Sequence, residues 1–277
     1  MMNESIHAAD TIDTSFPALD WQGQALDCAQ CAQSVAKQSG QAVRCGLRVA
    51  CVEDRYALRI DRFFRWNPAL ARQYLRHPYF EVRAIAAKYV DVFYLPQLVK
   101  DVDETVRWSA VHRLAPRQLL ALRQDPDREV RIRVAARLPE ANLVSMMADE
   151  DYFVRTIVAR RLPQALLSAM KYDKDAEVRA EVAKRISVDG LLDMVEDASE
   201  IVRLVVVHRL PMGYLGQMMN DIDWRVRYEV ARRAGFDIWS RLLDDEDEAV
   251  REMAHSRQSI RATAQVTQMQ FGVGGKR

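Results

Sequence analysis

The stretch Asp125-Pro126-Asp127-Arg128-Glu129-Val130-Arg131, together with the helix it opens, decides the fold. Its Val-Arg pair recurs as Val82-Arg83, Val106-Arg107, Val154-Arg155, Val178-Arg179, Val202-Arg203, Val226-Arg227 and Val250-Arg251, each copy 24 residues after the last. A fixed period of this length marks a solenoid, in which each unit packs only on its neighbours.

Positions within a unit are counted from the Val. An Asp stands at −5 (Asp101, Asp125, Asp149, Asp173, Asp197, Asp221, Asp245), and a helix N-cap is expected there, because a carboxylate accepts from the free N–H groups of a helix start. Pro78 and Pro126 follow at the first helical position. A second acidic column (Asp103, Asp127, Asp151, Asp175, Asp223, Asp247) falls in the first turn and suits the helix dipole. Apolar residues at the Val, +4, +5 and +8, as in Val130, Val134, Ala135 and Leu138, form a helical stripe. Ala at +5 lets neighbouring helices approach closely, and Pro139, Pro163 and Pro211 at +9 stop the helix. Leu at +13 and Leu or Met at +16 then predict a single turn or a 3-10 segment, not a strand.

The chain has 277 residues, 49% apolar and 29% charged, enough for a core and too apolar for disorder. A formal charge of +1 points by itself to neither nucleic acid nor membrane. Met1 to Asp20 lacks the pattern of a secretory signal, and no apolar run is long enough to span a bilayer. A cytoplasmic protein is expected. The chain divides into a poorly ordered start (1–20), a four-cysteine segment (21–53) with a helix over Leu26 to Val35, repeats over 54–259, and a frayed tail (260–277). The first repeat is worn, with Leu58-Arg59 standing 24 residues before Val82-Arg83 and with Trp66, Pro68 and Tyr74 near core positions.

All four cysteines, Cys28, Cys31, Cys45 and Cys51, lie in the second segment, spaced C-x2-C-x13-C-x5-C. Such clustering indicates one metal site rather than a disulfide framework. Four thiolates satisfy a [4Fe-4S] cube, one per iron, and they also satisfy zinc, whose second pair is usually closer in sequence. Spacing alone leaves cluster, zinc and unligated thiols open. Lys37, Arg44 and Arg48 are the only charges between Cys28 and Cys51 and would offset a negative cluster.

The period of 24, the D-x-D-x-x-V-R start, the Leu-Pro stop and the following L-x-x-L or L-x-x-M resemble the leucine-rich repeat variant family. That resemblance covers about residues 24–258. It implies an all-α, right-handed superhelical solenoid of parallel α-helices alternating with parallel 3-10 helices, capped by an N-terminal domain. It implies further that Cys28, Cys31, Cys45 and Cys51 hold a [4Fe-4S] cluster. The family's members are associated with nitrogen-fixing bacteria.

Arg recurs at +1 and again at +7 (Arg113, Arg137, Arg161, Arg185, Arg209, Arg233, Arg257). Helix capping and Asp–Arg pairing between stacked units account for both columns, and a basic strip for nucleic acid phosphates is the rival. His112 and His208 are expected at the surface, and Trp108, Trp224 and Trp239 in packing. No nucleophile triad, phosphate loop or paired carboxylates stand out, so an enzyme is not expected. The expected role is a binding scaffold for a protein partner, carrying a structural or redox-active cluster. The rivals are an electron-transfer protein that docks a redox partner and a nucleic-acid-binding repeat protein.

Overall fold

A computed structural model of the protein describes residues 16–40 and 42–272, with side chains to 262. The chain forms two compact units, Met1–Asn142 and Leu143–Arg277. In the first, long helices Ala57–Trp66, Phe80–Tyr89, Glu104–Val111 and Arg128–Arg137 alternate with short segments Pro68–Tyr74, Val92–Lys100 and Pro116–Leu122. In the second, Tyr152–Arg161, Ala176–Ala183, Glu200–Arg209, Trp224–Arg233 and Glu248–Gly272 alternate with Gln164–Met170, Val188–Leu192, Met212–Met218 and Phe236–Leu242. Among the described residues there is no strand, only the isolated bridges Leu19–Ala25, Asp20–Asp54 and Gly46–Ala50.

The short segments are 3-10 wherever proline occupies +9. Where Ala115, Ser187 or Gly235 stands there, the segment opens as an α-turn. One reason is visible at Ala115, whose N–H donates to the Gln118 side chain at 3.0 Å, a cap that proline cannot make.

Each helix begins later than the sequence predicts. The N-cap is the residue at −3, Tyr79 and Ser199 in two repeats and elsewhere Asp: Asp103 accepts from Thr105 N–H at 2.8 Å, Asp127 from Val130 at 3.0 Å and Asp151 from Phe153 at 2.9 Å. Pro78 and Pro126 precede the cap and are not helical. The Asp at −5 is engaged elsewhere. In the first unit Arg83 forks onto Asp101 (2.8 and 2.7 Å) and Arg107 onto Asp125 (both 2.8 Å). In the second, Arg155, Arg179, Arg203 and Arg227 do the same to Asp173, Asp197, Asp221 and Asp245. The remaining guanidinium N–H turns back to its own repeat, as Arg107 does to Asp101 O at 2.9 Å. The +7 column closes the helix before it: Arg113 donates to Ala87 O (3.0 Å) and Val90 O (2.6 Å), and Arg209 to Ala183 O (2.6 Å) and Ile186 O (2.9 Å). Both recurring arginine columns are therefore engaged within the stack, in helix capping and pairing between repeats.

These pairs predict an acid limit to stability. Burial pushes Asp101, Asp197 and Asp245 up, but hydrogen bonds from their arginines and from nearby backbone N–H groups outweigh it and hold all three below the ordinary 3.8. A depressed carboxylate stabilises the fold fully above its unfolded pKa, and that stability is lost as pH falls through the lower folded values. Urea midpoints should be flat down to about pH 5 and fall steeply below about pH 4. A midpoint unchanged at about pH 3 would show that the pairs are not coupled to folding.

The core is columnar. Val130, Val134, Ala135 and Leu138 are fully buried in one repeat, Val154, Val158, Ala159 and Leu162 in another. Leu138 and Leu162 cap their helices from just past the end, not from within. Leu at +13 and Met or Leu at +16 complete the column from the short segments. The first repeat departs from this pattern. Leu58 is 61% exposed, the core there starts at Ile60, Phe63 and Phe64, and Pro68 is exposed while Tyr74 is buried. Trp239 is in the core as expected, but Trp224 is 45% exposed; His112 and His208 are at the surface. Helix Glu248–Gly272 continues through most of the segment expected to fray. Residues 1–15 and 273–277 lie outside the described residues.

Candidate metal centre

The predicted helix over Leu26–Val35 is displaced. Residues 28–30 form a turn, stabilised as Asp27 accepts the Ala29 N–H at 2.8 Å, and the helix is Ala32–Gln38 with Cys31 as its N-cap. Cys28 and Cys31 therefore flank one turn. The second pair owes its position to a bend that the spacing conceals. Gly46 and Ala50 pair antiparallel, with Gly46 N–H to Ala50 O and Ala50 N–H to Gly46 O both at 2.9 Å. Cys45 and Cys51 flank that bridge, so five intervening residues bring them side by side. The loop closes through Arg48 at φ 62°, the left-handed region that non-glycine residues seldom occupy.

All four cysteines line one cavity of about 220 Å³, with Lys37 and Phe63 also in its wall and no carboxylate. Among the described residues no three Cys, His, Asp or Glu side chains converge closely enough to hold a single metal ion. Four thiols spread around a cavity suit a polynuclear cluster better than one zinc. Burial raises the Cys45 thiol; Lys37 opposes this, and the neighbouring Cys31 and Cys28 add to it. Burial pushes Cys51 up to about 12, against hydrogen bonds from the Glu53 and Asp54 backbone. Such thiols keep their protons until a metal charge displaces them. Cys28 is exposed, so one corner of the site meets solvent.

Single residues that no periodicity could have identified fasten this segment to the first repeat. The Asn67 side chain accepts the Arg44 N–H at 2.8 Å and donates to Arg44 O and Phe63 O, both at 2.7 Å, which fixes the chain immediately before Cys45. Gln33 donates to Tyr74 Oη at 2.6 Å. Arg59, the +1 arginine of the worn repeat, turns to Asp54 at 2.9 Å and to Phe16 O at 2.8 Å, with Asp54 fully buried. His77 stands where the other repeats have Asp at −5, and its Nε2 lies 3.3 Å from Glu53.

Residues 18–73 match the family described as "LRV protein FeS4 cluster". A 96-residue segment, 35% of the chain, is 52% identical to an "Uncharacterized 27.7 kDa protein in nifB 3'region" of Rhodobacter capsulatus and spans 38% of that relative's length. A solved structure titled "A leucine-rich repeat variant with a novel repetitive protein structural motif" is 41% identical, covers 84% of this chain and 98% of its own, and superposes with a TM-score of 0.78. No helix among the described residues is long and apolar enough to cross a membrane. An all-α repeat solenoid with an amino-terminal iron-sulfur domain, expected from the columns of the sequence, is met on both counts, and the chain belongs to the leucine-rich repeat variant family.

Proposed function

We propose that Cys28, Cys31, Cys45 and Cys51 each hold one iron of a [4Fe-4S] cluster, and that the repeats serve as a binding scaffold rather than an enzyme. The observation that carries this is the convergence of all four thiols on one carboxylate-free cavity. Bound there, the cluster would supply one-electron chemistry and cross-link the segment. Lys37 in the cavity wall offsets its negative charge, and Asn67 and Gln33 hold the loop and helix that present the thiols. The position of the Rhodobacter capsulatus relative beside nifB, given by its name, supports a setting in nitrogen fixation. Protein purified without oxygen should contain about four iron and four sulfide per chain. Stoichiometric zinc without sulfide would refute the assignment.

The exposure of Cys28 favours a second reading, in which the cluster exchanges electrons with a docked partner. Reversible reduction in an anaerobic potential titration supports it, and a cluster that only decomposes on reduction leaves the structural role.

A further inference from the structure

The cations that recur in every repeat are engaged inside the fold. A second set forms no ion pair among the described residues. The short segments of the amino-terminal unit, residues 68–76, 92–100 and 116–124, carry Arg72, Arg76, Lys100, Arg117 and Arg123 and contain no Asp or Glu. Arg72, Arg76, Lys100 and Arg117 are exposed. Among the described residues no ion pair or hydrogen bond engages Arg76, Lys100 or Arg117. Arg76 and Lys100 are one period apart and occupy the same position of successive repeats; Phe93 and Arg117 do likewise. The rows also meet directly, since the Arg72 guanidinium lies over the Tyr94 ring at 4.4 Å. Phe93, edge-on to Tyr94 with centroids 5.3 Å apart, is 80% exposed.

We propose that this short-helix edge of the amino-terminal unit binds single-stranded nucleic acid. A surface with cations at repeat spacing follows a phosphate backbone, and exposed Asp91 beside it has one carboxylate oxygen taken up by the Phe93 N–H at 2.8 Å. An exposed aromatic ring among them offers a stacking platform for an unpaired base, which a duplex keeps in its own stack. Gln73, Gln97 and Gln124, exposed on the same segments, provide donors and acceptors for base edges. An acidic protein segment would use the cations but would give Phe93 no role. Of the corresponding segments of the carboxy-terminal unit, 188–196 and 236–244 carry Asp189, Asp193, Glu196, Asp237 and Asp244, and 164–172 and 212–220 carry one cation between them, Lys171, so no row of cations at repeat spacing forms there.

The test uses the full-length, cluster-loaded protein and a fluorescein-labelled oligouridine of about 20 nucleotides, read by anisotropy. With up to five phosphate contacts, log affinity should fall against log salt with a slope of about −3.5. That is a roughly 100-fold loss between about 50 and 200 mM salt. Arg76→Gln/Lys100→Gln/Arg117→Gln should flatten the slope to about −1.4. Phe93→Ala should weaken binding about tenfold with the slope unchanged. The four side chains are exposed, so the variants should melt like the parent, and circular dichroism verifies this. No binding at about 50 mM salt would overturn the proposal. It would also be overturned if polyglutamate displaced the probe as well as unlabelled oligouridine does and Phe93→Ala had no effect, an outcome that assigns the edge to an acidic protein.

Discussion

Cys51→Ser protein is expected to emerge from anaerobic purification nearly free of iron and sulfide. Cys51 is the most deeply enclosed of the thiols whose ionisation is perturbed, and burial, the largest cause, pushes it up to about 12. A cluster held there would displace that proton by its charge, and a serine hydroxyl is far less acidic and a harder donor. Cys51 is half-buried and Cys28 exposed, so water replaces a lost donor more readily at Cys28. Cys28→Ser should therefore keep a larger share of the iron than Cys51→Ser. The loss should spread locally, because binding energy at such a site is also folding energy. Hydrogen exchange should quicken at the Gly46–Ala50 bridge and near Asp54, while the repeats of the carboxy-terminal unit stay protected. Wild-type iron content in Cys51→Ser would remove Cys51 from the ligand set.

Asp125→Ala should be among the most destabilising single changes in the repeats. It strands the Arg107 guanidinium, whose two N–H···O bonds to Asp125 both measure 2.8 Å, in a place where the Asp125 side chain is 3% exposed. It also removes the acceptor of the Asp127 N–H at 3.0 Å, immediately before the next helix. Removing one partner of a buried pair costs about 3–5 kcal/mol, far more than the net worth of the pair, because a charge is left without water or counter-ion. The double change Arg107→Met/Asp125→Leu should recover most of that loss, since well-packed apolar groups replace buried pairs at little cost. Denaturant unfolding decides the matter. A loss below about 1 kcal/mol for Asp125→Ala would mean that water reaches the pair as it does a surface salt bridge.

The columns of the repeat were legible because every unit states the same requirement. What sequence could not resolve is which of two aspartate columns caps the helix. Asp125 and Asp127 are alike in type and lie two residues apart, and only the arginine 18 residues upstream distinguishes them. The worn repeat misled for a related reason. Arg59 keeps its place in the register, but its partner is Asp54, just past the cysteine segment, and the helix presents Ile60 rather than Leu58 to the core. The x5 spacing of Cys45 and Cys51 looked wide because a left-handed Arg48 is not a turn signal. Asn67 and the Gln33–Tyr74 contact occur once each, across long separations, and leave no pattern.

The arginine fork also makes the chain divisible. Arg155 meets a carboxylate 18 residues on, and the next interchangeable carboxylate follows one period later. Excising residues 173–196 would join Tyr172 to Asp197, offer Arg155 the same oxygens from Asp197, and leave Arg203 with Asp221. Duplicating that stretch works equally well in reverse. A scaffold wired in this way can lengthen or shorten by whole cassettes with the arginine fork re-formed at each joint, so its reach is set by copy number.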